Sequence, residues 1–478
     1  MNDTEQARRV ITKWMDENVP RFFPYARAIW SYAELAGQET RSASLLCRVL
    51  RENGFDVRER VADMPTAFVA RWGDERPVIA ISCEYDALPG LSQQLTENRQ
   101  PLVKDAPGHG CGHNLLGVGG IMAAVAIKEW LEQFHVPGTV VLLGTPGEEI
   151  CLGKPFMARA RLFEGLDAIL DWHPWTYNLA TYDVCNAYFS LKFHFAGRSA
   201  HGNAPWHGRS ALDAALLMGH AIELLREHIP PGNPDAAHTI NYTISDAGPE
   251  FPNVVPDRAV LWVIGRLSTA ELVAEVMARV DKCAEGAALA TGTAVEREFI
   301  SATHEKLPNQ TVAEVVHRNF QQIGPPRFSE EEHALARRMQ RSQGARETGI
   351  SEEILLFGPK GTALSDNSEF SWFAPFATVW VAAVPPGLGW HNWQVTFLCG
   401  SDIGRKAMVT AAKVLAASAA ELFLHPETLA AAKQELAQRL AERPYRTLIP
   451  EEAAPPVDLN RPTMDKYRDL MHGRYLSP

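Results

Sequence analysis

Between residues 186 and 305 the hydrophobic pattern runs through six segments in an order that few folds accept. Alternating apolar positions over 189–195 predict a strand, and 210–228 repeats at the three- and four-residue spacing of a helix. Residues 238–244 and 258–267 return to strand character, 269–290 is helical and 294–300 is again a strand. The order β-α-β-β-α-β is that of a ferredoxin-like unit. Such a unit is complete in itself, so it predicts an inserted domain, and the chain on either side has to build a second one.

The flanking segments carry the pattern for it. Helical periodicity over 5–55 predicts two helices, marked by Ile11, Trp14 and Met15 and then by Leu45, Leu46, Val49 and Leu50. Short apolar runs at 67–70, 78–82, 140–144 and 168–171 alternate with a helical stretch at 120–134. That alternation predicts an α/β layer sandwich. Its two parts would be residues 1–185 and 306–478, around an insertion at 186–305. Residues 325–350, charged and broken by Pro and Gly, predict a surface excursion, and the proline-rich stretch from Glu442 predicts an irregular C-terminal tail.

Composition narrows the classes of function. With 46% hydrophobic and 22% charged residues, the 478-residue chain can bury a sizeable core. A net charge of −11 without any basic block argues against a nucleic-acid partner. The longest aliphatic run, 121–127, is far below the roughly 18 apolar residues that cross a bilayer. The start lacks a basic segment feeding an apolar one, so the expected location is the cytoplasm. The 7 cysteines are odd in number and contain no Cys-x-x-Cys, which fits reduced thiols.

Chemistry-bearing side chains gather in four short segments: Glu84-Tyr85-Asp86-Ala87-Leu88-Pro89-Gly90, Gly108-His109-Gly110-Cys111-Gly112-His113-Asn114, Pro146-Gly147-Glu148-Glu149, and Asp171-Trp172-His173-Pro174. A fifth is Trp390-His391-Asn392-Trp393. Ligands of an open α/β sheet bind beyond the carboxyl ends of its strands, so loops distant in sequence can converge there. Imidazole, thiolate and carboxylate together suit zinc or a neighbouring ion such as manganese, and two ions need about this many ligands. Adjacent side chains of an extended loop point to opposite sides, so one of Glu148 and Glu149 can ligate while the other acts as base on a water that a metal activates. Taken singly, a Glu-Glu pair is usually a solvated turn, a histidine a packing residue and Cys111 an inert thiol. Their joint occurrence in this order favours a metal site.

Competing motifs fail. Gly117-Val118-Gly119-Gly120-Ile121-Met122 puts Met where a dinucleotide fingerprint has its third glycine, and His304-Glu305 lacks the second histidine of a zinc helix. Neither a Gly-x-Ser-x-Gly elbow nor a phosphate-binding loop occurs.

Cys111-Gly112-His113, Pro146-Gly147-Glu148-Glu149, His173-Pro174, Ala200-His201 leading to Gly208-Arg209-Ser210-Ala211, and the late His391 stand in the order of a known family. Over nearly its whole length the chain resembles the dinuclear metallopeptidases and amidohydrolases that include aminoacylases, carboxypeptidase G and indole-acetyl-amino-acid hydrolases. The resemblance implies a three-layer α/β/α metallopeptidase catalytic domain with an inserted ferredoxin-like lid and dimerisation domain. It implies that Cys111, His113, Glu149, His173 and His391 ligate two divalent ions, zinc or manganese, with the Cys111 thiolate shared. Glu148 would be the general base and then the proton donor to the leaving amine. Asp86 would hold a ligand imidazole in its tautomer, and His201 would stabilise the oxyanion, commonly in the partner subunit's site. Asn253 and Arg266 would hold the substrate carboxylate, a task suited to a bidentate arginine.

The implied reaction is hydrolysis of the amide bond of an N-acyl amino acid, with p-aminobenzoyl-glutamate or a related aromatic-acyl conjugate among the candidates. A dipeptidase or aminoacylase using the same site is the alternative. An alternative of another class is a catalytically silent metal- or ligand-binding subunit of a heteromeric hydrolase. The implied partners are a small-molecule carboxylate substrate, a second copy joined through the lid, and a paralogous subunit. Two positions depart from the family pattern: Ser368-Glu369-Phe370-Ser371-Trp372 stands where Gly-Asp-Val-Ser-Trp is usual, and Asn392 follows the last histidine. Neither removes a ligand or the base, and both are expected to bear on the substrate pocket.

Overall fold

In a computed structural model of the chain, which describes residues 3–233, 236–361, 363–441 and 443–478, four parallel strands occupy the middle of a seven-stranded sheet. They are Thr139–Gly144, Val78–Cys83, Ala168–Trp175 and Phe376–Ala382, in that spatial order. Three of them are buried at every residue, as strands covered on both faces must be. Phe68–Trp72 and then Asp56–Glu59 extend one side of the sheet antiparallel, and Leu179–Thr181 closes the other. Met1 and Asn2, the expected start of the first catalytic segment, and Glu442, the expected start of the tail, lie outside the described residues.

Helices Asp3–Tyr32, His113–Phe134 and Asp402–Leu424 pack against one another, and the last two lie on the sheet. His113–Phe134 and Asp402–Leu424 are long and apolar enough to cross a membrane, but 94% and 89% of their most apolar windows are buried within the protein. They are central helices, apolar on all sides because protein surrounds them.

The inserted unit is a four-stranded antiparallel sheet in the order Thr239–Asp246, Arg258–Leu267, Ala187–Ala196, Ala294–Thr303. Helices Ala211–Arg226 and Ala270–Thr291 cover its inner face. Arg258–Leu267 shows the reason: its buried positions alternate strictly, leaving the other face partly open. Ser210 and Thr269 cap the two helices, each accepting a hydrogen bond from a backbone N–H three residues on.

Two sequence expectations need correction. Residues 325–350 are more than a surface excursion, because Glu330–Ser342 is a helix started by a capping box between Ser329 and Glu332 and buries Ala336 and Met339. The C-terminal stretch is not wholly irregular either. Arg461–His472 is a helix with proline in its first turn, where a missing N–H costs nothing. Its Met464, Tyr467 and Met471 recur at helical spacing and are buried, the last two against Ala33, Ala87 and Ala106. The prolines that precede it hid that short period.

Candidate metal centre

The carboxyl ends of the central strands deliver the first ligand candidates. Val78–Cys83 runs directly into Glu84-Tyr85-Asp86, and Thr139–Gly144 leads within four residues to Glu148. His173 lies on the strand Ala168–Trp175 itself rather than in the loop after it. Cys111 and His113 bracket Gly112, which opens the helix His113–Phe134 at φ 86. A side chain there would meet Pro174 Cγ at 2.7 Å, so the tight turn that sets thiol and imidazole side by side requires glycine. His391 also holds a left-handed backbone conformation, φ 57, of a kind that clusters at functional sites.

These residues form two groups that share Cys111. Ligand atoms of Cys111, His113 and His173 lie within 4.8 Å of one another, as do those of Cys111, Glu149 and His391. Cys111 Sγ is 3.5 Å from His173 Nε2, and Glu149 Oε2 is 3.6 Å from His391 Nε2. A third group joins Glu84, His113 and Glu148. Glu148 and Glu149 occupy a 3₁₀ turn, Glu148–Ile150, rather than the extended loop expected. Successive side chains of such a turn diverge by about 120°, so Glu149 reaches His391 while Glu148 Oε2 faces His113 Nε2 at 3.8 Å.

Hydrogen bonds set the imidazoles in the tautomers that ligation needs. His113 Nδ1 donates to Asp86 Oδ1 at 2.8 Å, and its Nε2 is buried without a hydrogen-bond partner. His173 Nδ1 donates to the Pro174 carbonyl at 2.6 Å, which turns Nε2 toward Cys111. Asp86 does a second job with its other oxygen, accepting the Glu149 backbone N–H at 3.1 Å, so one buried carboxylate orients two ligand candidates. Burial works against its charge, but the charge and hydrogen bond of His113 prevail and hold Asp86 below its ordinary pKa.

The donor set fits divalent cations. Glu149 Oε1, like His113 Nε2, is buried and unpartnered. Burial and neighbouring Glu148 and Asp86 push the Glu149 carboxyl up to about 8, against the opposing pull of His113. Burial and then Glu84 raise Glu148. Burial and then His113 bring His173 down to about 4, leaving it neutral and its lone pair free. Carboxylates, a thiol and the His173 and His391 imidazoles, which burial disfavours as cations, are acceptors crowded together and seeking positive charge.

Behind the ligand candidates lies a group that the sequence did not flag. Lys154, fully buried, pairs with Glu84 at 2.8 Å and with Asp366. Asp171 accepts from Asn367 at 2.9 Å in the same interior. The available signal was a lysine inside 153–158, a segment otherwise of buried small and apolar residues.

The three candidates on the inserted unit divide. His201 and Asn253 sit together and exposed, Asn253 Nδ2 3.5 Å from His201 Nε2, and the His201 Nδ1 accepts the Asn203 N–H, so both of these contacts stay within the inserted unit. Arg266 lies on the strand Arg258–Leu267 above the Tyr188 ring at 5.9 Å. Burial raises the thiol of Cys151, which closes the Glu148 turn, and among the lesser influences the Arg266 charge lowers it. Ser301 of the inserted sheet hydrogen-bonds the Cys151 carbonyl, tying that sheet to the same turn.

Both departures from the family pattern have structural work to do. Asn392 caps the helix Trp393–Gly400, accepting from the N–H groups of Gln394 and Val395. Glu369 is buried, accepting from the backbone and ring of His304 and from the Tyr445 hydroxyl.

Fold and donor set together define a metal-dependent hydrolase of amide or peptide bonds. Residues 187–291 match the peptidase dimerisation domain of the M20 peptidases. The chain is 34% identical to a p-aminobenzoyl-glutamate hydrolase subunit of Escherichia coli (strain K12), over 94% of this chain and 99% of that one. It is 29% identical to the Xaa-Arg dipeptidase of Mus musculus, over 92% and 94% of the two chains. The solved aminobenzoyl-glutamate utilization protein from Klebsiella pneumoniae shares the fold with a TM-score of 0.54 at 18% identity, covering 83% of this chain and 97% of that one. This chain belongs to the M20 peptidase family.

Asp86 gives a direct check on the orientation argument. Asp86→Asn can no longer hold the His113 tautomer through charge, and losing an orienting carboxylate typically weakens metal affinity about 10–100-fold. Competition with a chelating dye should show that loss, with the fold unchanged by circular dichroism.

Proposed function

We propose that this chain is an amidohydrolase that cleaves the amide bond of an N-acyl amino acid using two divalent ions, zinc or manganese. The supporting observation is the pair of ligand groups sharing Cys111, with a second carboxylate, Glu148, facing them from the same turn as Glu149. Cys111, His113 and His173 would hold one ion and Cys111, Glu149 and His391 the other. Bound there, the ions supply Lewis-acid polarisation of the scissile carbonyl and acidify the attacking water. Glu148 takes the proton of that water and returns it to the leaving nitrogen. Its raised pKa, from burial and Glu84, makes it a stronger proton acceptor than an ordinary carboxylate. Arg266, over the Tyr188 ring on the sheet whose Ser301 hydrogen-bonds the Cys151 carbonyl, receives the substrate carboxylate.

The lid, residues 186–305, joins two copies, and the catalytic domain is residues 1–185 with 306–478. Leu216 and Leu224, 55% and 58% exposed, stand on the helix Ala211–Arg226, which packs by the edge strand Thr239–Asp246. An apolar stripe beside an open strand edge suits self-association, and His201 would then reach the site of the second copy. The subunit designation of the Escherichia coli relative also favours a paralogous partner. Light scattering should give a dimer at micromolar concentration, and Leu216→Glu with Leu224→Lys a monomer. A cytoplasmic location follows from the same reading, because all seven cysteines are free and oxidation of Cys111 would remove a shared ligand.

The mouse relative's name favours a second reading, a dipeptidase with the same site. One experiment addresses both. Chelator-treated protein should lose turnover across a panel of N-acyl amino acids and dipeptides, and two equivalents of zinc or manganese per chain should restore it. Metal-loaded protein that turns over none of the panel would instead make it a silent subunit.

A further inference from the structure

On the His173 and His391 side of the cluster stands a wall of indoles that the reaction so far leaves without a task. The parallel register sets Trp380 beside His173, and Trp175 follows His173 by two residues on the same face of its strand. Trp390 precedes His391. The ring of His173 is 5.5 Å from Trp380, 5.8 Å from Trp175 and 6.0 Å from Trp390. Trp175 and Trp390 stack at 4.6 Å and 18°, and Trp380 meets Trp175 edge-on at 5.0 Å.

We propose that Trp175, Trp380 and Trp390 form the acyl subsite and select a planar aromatic acyl group bearing a hydrogen-bond acceptor. This rests on the amidohydrolase reading above. Trp380 is only 3% exposed, yet its indole Nε1 has no hydrogen-bond partner. A buried donor left unpaired is costly, and an acceptor on the acyl group satisfies it. Trp175 and Trp390 are half-buried, so ring surface remains open for an aromatic guest to pack against. Clamping the His173 imidazole does not by itself call for three indoles, since the Pro174 carbonyl already fixes the ring.

Two charges orient the substrate. Arg266 lies over the Tyr188 ring on the inserted sheet, whose Ser301 hydrogen-bonds the Cys151 carbonyl beside Glu148, so the carboxylate end lies there and the acyl end at the tryptophans. Lys360 Nζ sits 4.7 Å over Tyr177, itself 6.1 Å from Trp175, so a cationic guest meets like charge at this wall. An uncharged aromatic group does not.

The test compares kcat/KM of the metal-loaded enzyme on N-benzoyl, N-(4-hydroxybenzoyl) and N-acetyl derivatives of one amino acid. For Trp390→Leu the benzoyl-to-acetyl ratio should fall about tenfold through KM, the scale of one lost aromatic contact. Trp380→Phe keeps a ring without the donor and should lower the 4-hydroxybenzoyl-to-benzoyl ratio. Both variants should retain the wild-type metal stoichiometry. Unchanged ratios, loss of metal in both variants, or a wild-type preference for a guanidinium-bearing acyl group would overturn the proposal. Benzoate quenching of tryptophan fluorescence separates the two layers. Quenching that Trp390→Leu abolishes, in a protein that hydrolyses no amide, sinks the amidohydrolase reading and keeps the subsite. Equal turnover of benzoyl and acetyl substrates without quenching sinks the subsite alone.

Discussion

Glu148→Gln should lower kcat by about 10³- to 10⁴-fold while leaving the bound metal in place, the upper range for loss of a general acid–base group. Glutamine fills the same volume and can still accept a hydrogen bond, but it cannot take a proton from water or hand one to the leaving nitrogen. Its neighbour should behave differently: Glu149→Gln removes a charged donor from the group with Cys111 and His391, so metal content and turnover should fall together. Steady-state rates beside elemental analysis of each variant distinguish the two carboxylates. Full activity in Glu148→Gln would remove it from proton transfer. Loss of an ion in that variant would reassign Glu148 as a ligand, the role open to it in the group with Glu84 and His113.

Much of this site could be read from the chain because its residues sit where strand logic puts them. Strand ends carry Glu84 and Asp86, and glycines mark the turns at Gly112 and Gly147, both at positive φ. What the sequence could not supply was distance. That Asp86 reaches both His113 and the Glu149 amide depends on two parallel strands lying side by side, a non-local fact. The Glu148–Glu149 divergence was anticipated for the wrong geometry, since a 3₁₀ turn rather than an extended loop produces it.

Other features were hidden by the averages that sequence reading uses. Trp380 reads as one more apolar residue of a buried strand, and only the neighbouring strand's register sets it beside His173. Asn392 and Glu369 looked like departures at the substrate pocket, yet one is a helix cap and the other anchors His304 and Tyr445. The helix Arg461–His472 buries Met464, Tyr467 and Met471, but its charged remainder and leading prolines outweigh three apolar positions in any window.

Lys154 is the strongest case of an illegible residue, and Lys154→Met should cost about 3–5 kcal/mol of stability. Charged lysines are almost never fully buried unless paired, and this one is paired twice, with Glu84 and Asp366. Burial alone would drive its proton off. The two carboxylates outweigh burial and hold the ammonium charged. Methionine matches the length of the side chain, so little packing is lost; the penalty comes from two desolvated carboxylates facing each other and Glu148 without the ammonium that pairs with both. Glu84 also faces the ligand candidate His113, its Oε2 3.5 Å from the Nε2, so its displacement would carry the defect into the metal centre. Denaturant unfolding of the metal-loaded protein should show the loss as a lower midpoint. Adding Asp366→Leu to Lys154→Met should recover part of it, because replacing a buried pair with apolar groups is far milder than orphaning one partner. Recovery should stop short of wild type, since Glu84 would still lack its ammonium. An unchanged midpoint in the single variant would mean that the attraction of these charges only offsets the cost of burying them.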